Sequence, residues 1–350
     1  MTSPRWMLYG ANGYTGRITA ELAVARGMHP VLAGRRESEI KPLAEQLGLE
    51  WRCFDLSSPA TIEKNIDDCA LVLLHAGPFS ATSTPFVNAC LKTKTHYLDI
   101  TGEIAVFDAI QSLDAQAKAA GVVLMPGVGF DVVPTDCLAN MLVQKMPDAT
   151  HLELAFAGDG GISPGTCKTM IQMLGDGGKI RVNGNVVTVP SAHLRKTIRF
   201  SDRTLYCMSI PWGDVSTAFY STRIPTIVVY TATPKPAAII SRLFNPFTSM
   251  MAKPSVQQFL NNLVDKHVHG PDAAMRAAGT SKLWGQVRNA TGKSIDMRLD
   301  VAEGYQFTAF SSLACVNSVL EGRARSGTLT PAMAFGADFV LTIEGSTLIP

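Results

Sequence analysis

Short apolar runs and helical periodicity alternate over the first third of the chain. Trp6–Tyr9, Pro30–Ala33, Trp51–Phe54, Leu71–Leu74, Tyr97–Ile100 and Val122–Met125 predict six strands. Gly16–Arg26 places Ile18, Leu22 and Ala25 on one face and predicts the first helix. Ser38–Leu47, Ser58–Ile66, Thr84–Leu91 and Ala105–Ala119 predict the next four. Ser58-Pro59 and Thr84-Pro85 mark helix starts, because a proline in the first helical position gives up no intrahelical bond. Leu71–Leu74 is apolar without interruption, as a strand covered on both faces must be. This order predicts an α/β fold with a doubly wound parallel sheet over residues 1–126.

The pattern changes near Gly127. Pro134–Met146 predicts a helix. His151–Ala157, Ile180–Val189, Leu194–Phe200, Leu205–Ile210 and Ile224–Thr231 then predict strands, with a hairpin turn at Asn183-Gly184. Ala237–Met251 and Ser255–His267 predict helices, and Leu283–Ala290 pairs with Ser294–Val301 around Thr291-Gly292. Residues 127–305 therefore read as a second α+β domain on a mixed or antiparallel sheet. Gln306–Leu320 predicts an apolar helix and Asp338–Ile343 a closing strand.

Composition narrows the function. The 350 residues carry 31 Lys+Arg against 29 Asp+Glu, a formal charge of +2, so a general nucleic-acid surface is not expected. The longest charge-free stretch, Cys69–Leu91, holds too many polar residues for a transmembrane helix, and the first residues show no signal-peptide pattern. Cysteines at 53, 69, 90, 137, 167, 207 and 315 are odd in number with no C-x-x-C pair. Reduced thiols in a cytoplasmic protein are expected, with no metal site.

The strongest chemical signal is Gly10-Ala11-Asn12-Gly13-Tyr14-Thr15-Gly16, between a strand and a helix. This is the context of a Rossmann dinucleotide loop, although the spacing is G-x-x-G-x-x-G. Gly10 permits the tight turn, Gly13 close approach of a pyrophosphate, and Gly16 helix–sheet packing, with the helix N-terminus facing the phosphates. An NAD site places an acid at the end of the second strand, whereas this chain has Gly34-Arg35-Arg36. Two guanidinium groups suit a 2′-phosphate, so NADP(H) is the expected cofactor. Asp55 either accepts from the adenine amino group or caps its own turn.

His75-Ala76-Gly77-Pro78-Phe79 follows the fourth strand, and Ala76, Gly77 and Pro78 are expected to line the nicotinamide side. His75 reads either as a proton donor or as a structural residue. Asp99, Glu103 and Asp131 end the fifth and sixth strands, where they either position substrate and relay a proton or cap helices. Phe79, Phe130 and Trp212 are candidate substrate walls, and Tyr220, Asp214 and Asp131 candidate catalytic residues. Each of these also has a purely structural reading.

Taken as a set, GANGYTG, AGRR, HAGPF, HYLDITGE and PGVGFDVVPTD resemble the saccharopine dehydrogenase-like oxidoreductases. The closer similarity is to the branch called trans-acting enoyl reductases. Later segments at Ile210–Ala218, Ser221–Pro225 and Thr330–Gly336 extend the resemblance over nearly the whole chain. It implies a Rossmann domain, an α+β substrate domain, and a segment 306–350 that returns to the first domain. It also implies NAD(P)-linked hydride transfer to a C=C, C=N or C=O carbon. The alternatives are a non-catalytic NADP-binding redox sensor or partner-binding protein, and a saccharopine-type amino-acid dehydrogenase. The last needs converging basic residues, whereas Lys168, Lys179, Arg181, Arg195, Lys196, Arg199, Arg203 and Arg223 are spread over hairpin-like segments. Ile239, Ile240, Leu243, Phe244, Phe247, Met250 and Met251 form an apolar segment that reads as core, lid or interface, or as the contact of a lipid- or membrane-surface-associated protein. A small-molecule or acyl substrate and a homodimer complete the expectation.

Overall fold

The computed structural model describes residues 4–350 apart from 174, 176 and 244. The chain opens with β1 (Trp6–Tyr9), α1 (Tyr14–Ala25), β2 (Val31–Gly34), α2 (Glu37–Leu47), β3 (Trp51–Cys53) and α3 (Pro59–Ile66). It continues through β4 (Leu71–Leu74), α4 (Phe79–Thr93), β5 (His96–Asp99), α5 (Ile104–Gln111), α6 (Asp114–Ala120) and β6 (Val123–Met125). Next come α7 (Val133–Lys145), β7 (Ala149–Gly158), α8 (Pro164–Met173), β8 (Gly178–Val182), β9 (Asn185–Val189), β10 (Arg195–Arg199) and β11 (Thr204–Ser209). They are followed by α9 (Asp214–Thr222), β12 (Thr226–Ala232), α10 (Lys235–Leu243), α11 (Thr248–Met251), α12 (Pro254–His267) and α13 (Ala273–Ala278). The chain ends with β13 (Thr280–Asn289), β14 (Ser294–Ala302), α14 (Gly304–Leu320), β15 (Gly327–Thr328), α15 (Pro331–Phe335) and β16 (Thr347–Ile349).

Two compact units result. The first joins Met1–Val133 to Tyr305–Phe339, and the second joins Pro134–Gly304 to Val340–Pro350. In the first, seven parallel strands lie in the order β15-β6-β5-β4-β1-β2-β3. Strands β1 and β4 sit at the reversal of strand order, which in doubly wound sheets is where ligands bind. Both are buried along their full length. Met7, Tyr9, Val72, Leu74, Phe86 and Tyr97 belong to one core cluster of this unit. Helix α3 starts as its sequence dictates, with Ser58 accepting from the Thr61 amide at 3.4 Å and Pro59 in the first turn.

The first unit extends past residue 126 because the loop after β6 is bound to β5. The Gly127 amide donates to Asp99 Oδ1 at 3.0 Å and the Val128 amide to the Asp99 carbonyl at 2.8 Å. Helix α14 is held to the same loop: the Phe130 amide donates to Thr308 Oγ1 (3.0 Å), and Ser311 Oγ to the Val128 carbonyl (2.8 Å). Strand β15 then pairs with β6 at the sheet edge.

The second unit carries a mixed sheet in the order β10-β11-β12-β7-β13-β14-β16, with β8 pairing to both β12 and β9. Only β12 and β7 run parallel among these pairs. Asn183 and Gly184 form the turn between β8 and β9 with φ of 49° and 82°, the left-handed pair that matches strand twist in a two-residue hairpin.

Several elements differ from the sequence reading. The stretch 105–119 is two helices, because Ser112 Oγ takes the Ala109 carbonyl (2.6 Å) where α5 ends, and Asp114 begins α6. The apolar stretch 237–251 is α10, a 3-10 turn at Asn245–Phe247 and α11; Pro246 has no amide to continue a helix. Residues Ala337–Thr342 are 3-10 helix instead of strand, and the closing strand is β16, paired with β14. Buried Phe339, Val340 and Ile343 have helical spacing, which a short apolar run does not distinguish from a strand. Helices α8 and α9 have no counterpart in the sequence reading.

Candidate functional site

The parallel strands of the first unit end at one edge, and the chemistry-bearing loops follow those ends. After β1, Gly10 turns the chain at φ +86°. Its amide donates to the Ala33 carbonyl at 2.8 Å, and the Gly13 amide to the Gly10 carbonyl at 3.0 Å. A Cβ on Gly10 would stand 2.7 Å from the Ala76 nitrogen and 2.8 Å from the His75 carbonyl carbon. A Cβ on Gly16 would run into the Gly10 carbonyl oxygen and stand 2.9 Å from Ala11 Cα. Both are backbone clashes, so these glycines bring β1, α1 and the loop after β4 into direct approach. Gly13 caps α1 without a side chain, and the first turn holds no acid. The positive helix end is therefore offered to an anion instead of a local carboxylate. Ala11 is buried, while Asn12 is bound through Nδ2 to Glu39 (2.5 Å). Thr15 is half-buried on the same turn. Tyr14 meets Tyr305 of α14 edge-on at 5.0 Å, a contact between residues too far apart in sequence to be foreseen.

At the end of β2, Arg35 and Arg36 are both exposed. They differ in engagement. Arg36 pairs with Glu39 at 2.8 Å, whereas Arg35 has no ion pair among the described residues. Burial pushes the Tyr9 hydroxyl up to about 12 and the Arg35 charge pulls it down, which places Arg35 close to the end of β1. Asp55, one strand over, accepts from the Ser57 amide (3.0 Å) and hydroxyl (2.6 Å). It makes the turn that the sequence allowed, and these bonds hold its carboxyl below the ordinary value.

The loop Ala76-Gly77-Pro78 leads into α4, and Thr82 Oγ1 donates to the Ala76 carbonyl (2.7 Å). Phe79 and Ser80 donate their amides to Glu103 Oε1 and Oε2 at 2.7 and 2.8 Å. Glu103 thus caps α4, a helix that begins 24 residues before it. Glu103→Ala frees two orphan amides at a helix start and is expected to lower stability by about 1–2 kcal/mol. An unchanged urea midpoint would remove that role.

His75 is fully enclosed. Among the described residues neither ring nitrogen has a hydrogen-bond partner, and burial pushes the imidazole down to about 3. Burial disfavours the imidazolium, which favours the structural reading of His75 over the proton-donor one. Asp99 is also fully buried. Tyr97 donates to its Oδ2 (2.6 Å), and the Thr101 and Gly127 amides donate to its Oδ1 (3.0 Å each). Burial outweighs these bonds and lifts its carboxyl to about 6. Asp99 is the clasp between the loops after β5 and β6. Asp131 is half-buried and lies over Gly102, where a Cβ would run into its carboxylate. Phe130 packs edge-on to Phe307 of α14, 6.2 Å between centroids.

In the second unit, Trp212 stacks obliquely on Phe156 at 4.6 Å, and its indole nitrogen has no hydrogen-bond partner among the described residues. Asp214 opens α9 and is fully buried. Burial, with the Asp136 charge beside it, pushes its carboxyl well above the ordinary range. Asp136 accepts from Ser221 Oγ at 2.5 Å. The pairing of Asp136 with Asp214 escaped the sequence reading, which saw Asp136 only as the end of a motif. Tyr220 is half-buried on α9, and Arg181 lies 4.4 Å over the ring of its neighbour Phe219.

Comparison with known proteins follows the same division. Residues 6–125 match the family described as the saccharopine dehydrogenase NADP binding domain. A trans-acting enoyl reductase of Mycobacterium leprae is 34% identical over 148 residues, which is 40% of this chain and 35% of that protein. Its counterpart in Mycobacterium ulcerans is 31% identical over 157 residues, 43% of this chain and 38% of that protein. The matched part is thus well under half the length of these relatives. Over nearly its whole length the fold resembles apo saccharopine dehydrogenase (L-Glu forming) from Saccharomyces cerevisiae. The TM-score is 0.68 at 12% identity, covering 99% of this chain and 100% of that one.

Proposed function

We propose that this chain, which carries a saccharopine dehydrogenase-type NADP-binding domain and has the fold of saccharopine dehydrogenase, is an NADPH-dependent reductase. The observation that carries the reading is the open α1 N-terminus behind the glycine turn, with Arg35 in no ion pair among the described residues and Gly34-Arg35-Arg36 in place of an acid at the end of β2. Bound NADPH would supply a hydride, and the acceptor would be a C=C, C=N or C=O carbon of a small or acyl molecule. The names of the mycobacterial relatives favour an enoyl acyl acceptor.

In this reading the turn Gly10–Gly16 receives the pyrophosphate through backbone amides. Arg35 takes the 2′-phosphate, and Arg36, held by Glu39, supports it from the side. Asp55 keeps one carboxylate oxygen on Ser57 and can turn the other to the adenine. Ala76, Gly77 and Pro78 form the nicotinamide side, kept in place by Glu103 at the start of α4. Phe79 and Phe130 in the first unit, and Trp212 in the second, are each a candidate apolar wall for substrate. Asp131 and Tyr220 are the candidates for moving a proton. Burial and the Asp136 charge push the Asp214 carboxyl well above its ordinary range, which disfavours its charged form. These roles concern orientation and charge, since the cofactor carries the bond chemistry.

Titration with NADPH and NADH tests the proposal. Arg35→Ala should weaken NADPH about tenfold or more and leave NADH unchanged, as loss of a charge-assisted phosphate contact predicts. Arg36→Ala should have the smaller effect. Equal binding of both nucleotides, unaltered by Arg35→Ala, would overturn the cofactor assignment. Tight NADPH binding without turnover of any enoyl, imine or carbonyl acceptor would leave a redox-sensing binder instead.

A further inference from the structure

Helix α10 is built inside out. An ordinary surface helix buries its apolar stripe and exposes its polar face. Here Ala238 is buried and Ser241 half-buried, while Ile239, Ile240 and Leu243 are 50%, 53% and 67% exposed. At about 100° per residue these three, with exposed Pro236, share one side of the helix, away from Ala238. The same character continues along the chain. Met250 of α11 and Phe259 and Leu263 of α12 are also exposed, at 45%, 62% and 42%.

The charges of this segment have one sign. Between Pro234 and Pro271 stand Lys235, Arg242, Lys253 and Lys266, all exposed, against the single acid Asp265. Two of them are held at fixed places: Lys235 lies 5.6 Å over the Tyr206 ring, and Arg242 Nη1 reaches the His193 carbonyl at 3.4 Å. On α10 both lie at the flank of the apolar stripe by helical position. Long cationic side chains beside protruding Ile, Leu and Phe are the composition of a segment that lies in the headgroup layer of a membrane.

We propose that helices α10 and α12 form a docking surface for an anionic lipid bilayer, with Ile239, Ile240, Leu243 and Phe259 entering the headgroup–acyl boundary. Charge selects this occupant over a second copy of the chain. A two-fold contact would set this basic segment against itself, like charge on like charge. An anionic headgroup layer instead meets cations and apolar side chains together. The proposal goes beyond the reductase reading and does not depend on it.

The test uses the full chain and flotation with vesicles of phosphatidylcholine, with and without phosphatidylglycerol. Wild type should float only with the phosphatidylglycerol vesicles, and less as salt is raised. Ile240→Ser/Leu243→Ser should reduce that binding about tenfold or more, since each loses most of an exposed aliphatic side chain. Lys235→Glu/Arg242→Glu should abolish it at moderate salt. These positions are exposed, so the variants should keep the wild-type melting temperature and NADPH affinity, and both are measured alongside. Absence of wild-type binding, or binding that both double variants retain, overturns the proposal. So does a wild-type dimer that Ile240→Ser/Leu243→Ser converts to monomer, since the face would then belong to self-association.

Discussion

Gly16→Ala should lower the stability of the first unit by about 2–3 kcal/mol and weaken NADPH binding more than tenfold. The added methyl has no free direction. It would meet the Gly10 carbonyl oxygen and, at 2.9 Å, Ala11 Cα, and neither atom is the end of a flexible side chain. Either the start of α1 moves away from β1 or the turn opens, and both spoil the amide positions facing the phosphates. Gly48→Ala is the internal reference. Gly48 ends α2 at φ +65° with nothing within 4 Å of an added Cβ. It should cost only the left-handed backbone term of about 1 kcal/mol and leave nucleotide binding intact. Denaturant midpoints and NADPH titrations of the two variants decide the matter. Equal losses in both would mean that the close approach to Gly10 and Ala11 adds no cost at position 16.

The second large effect is in the response to pH. His75 has its folded value near 3 against an ordinary 6.5, so the unfolded chain takes a proton that the native protein refuses. Its contribution is full above pH 6.5 and is lost as the pH falls toward 3, on the order of 4–5 kcal/mol in all. Asp99 works in the opposite direction. Its folded value near 6 lies above the ordinary 3.8, so the native protein keeps a proton that the unfolded chain releases. That contribution is present below about pH 4 and is lost as the pH rises through 6, on the order of 3 kcal/mol. Between pH 4 and 6 the two partly cancel. Asp99→Asn removes one side of the balance while its Oδ1 still accepts from the Thr101 and Gly127 amides. The variant should be more stable than wild type by up to about 3 kcal/mol at pH 7, with the gain vanishing near pH 4. A gain of equal size at both pH values would show that Asp99 does not titrate as argued.

What the sequence revealed was local. The turn Gly10–Gly16, the arginines after β2 and the proline starts of α3 depend on residues within a few positions of one another. What it hid was distant. Glu103 was weighed as a cap for its own neighbourhood, yet its carboxylate serves α4, because β4 and β5 are neighbours in the sheet. Asp214 reads from the sequence as a candidate catalytic carboxylate or a structural one, but its burial on α9 beside Asp136 of α7 comes from distant parts of the chain. Tyr305 and Thr308 gained their places beside Tyr14 and Phe130 only because the chain returns to the first unit. The inverted α10 has a periodicity that any amphipathic helix shows. Burial alone reveals which side faces out.

That return also dictates an order of assembly on the ribosome. Val123 of β6 pairs with Gly327 of β15, across an interval of about 200 residues occupied by the second unit. The nascent first unit must therefore wait with the outer edge of β6, the side away from β5, unpaired while the second unit is made. An open strand edge is a template for unwanted pairing. Chains halted anywhere between residues 133 and 305 should consequently be the aggregating species, and chaperones should be needed most in that interval. For the same reason a minimal first unit is not an N-terminal fragment. It is 1–133 joined by a short linker to 305–339, with the second unit treated as a removable insert.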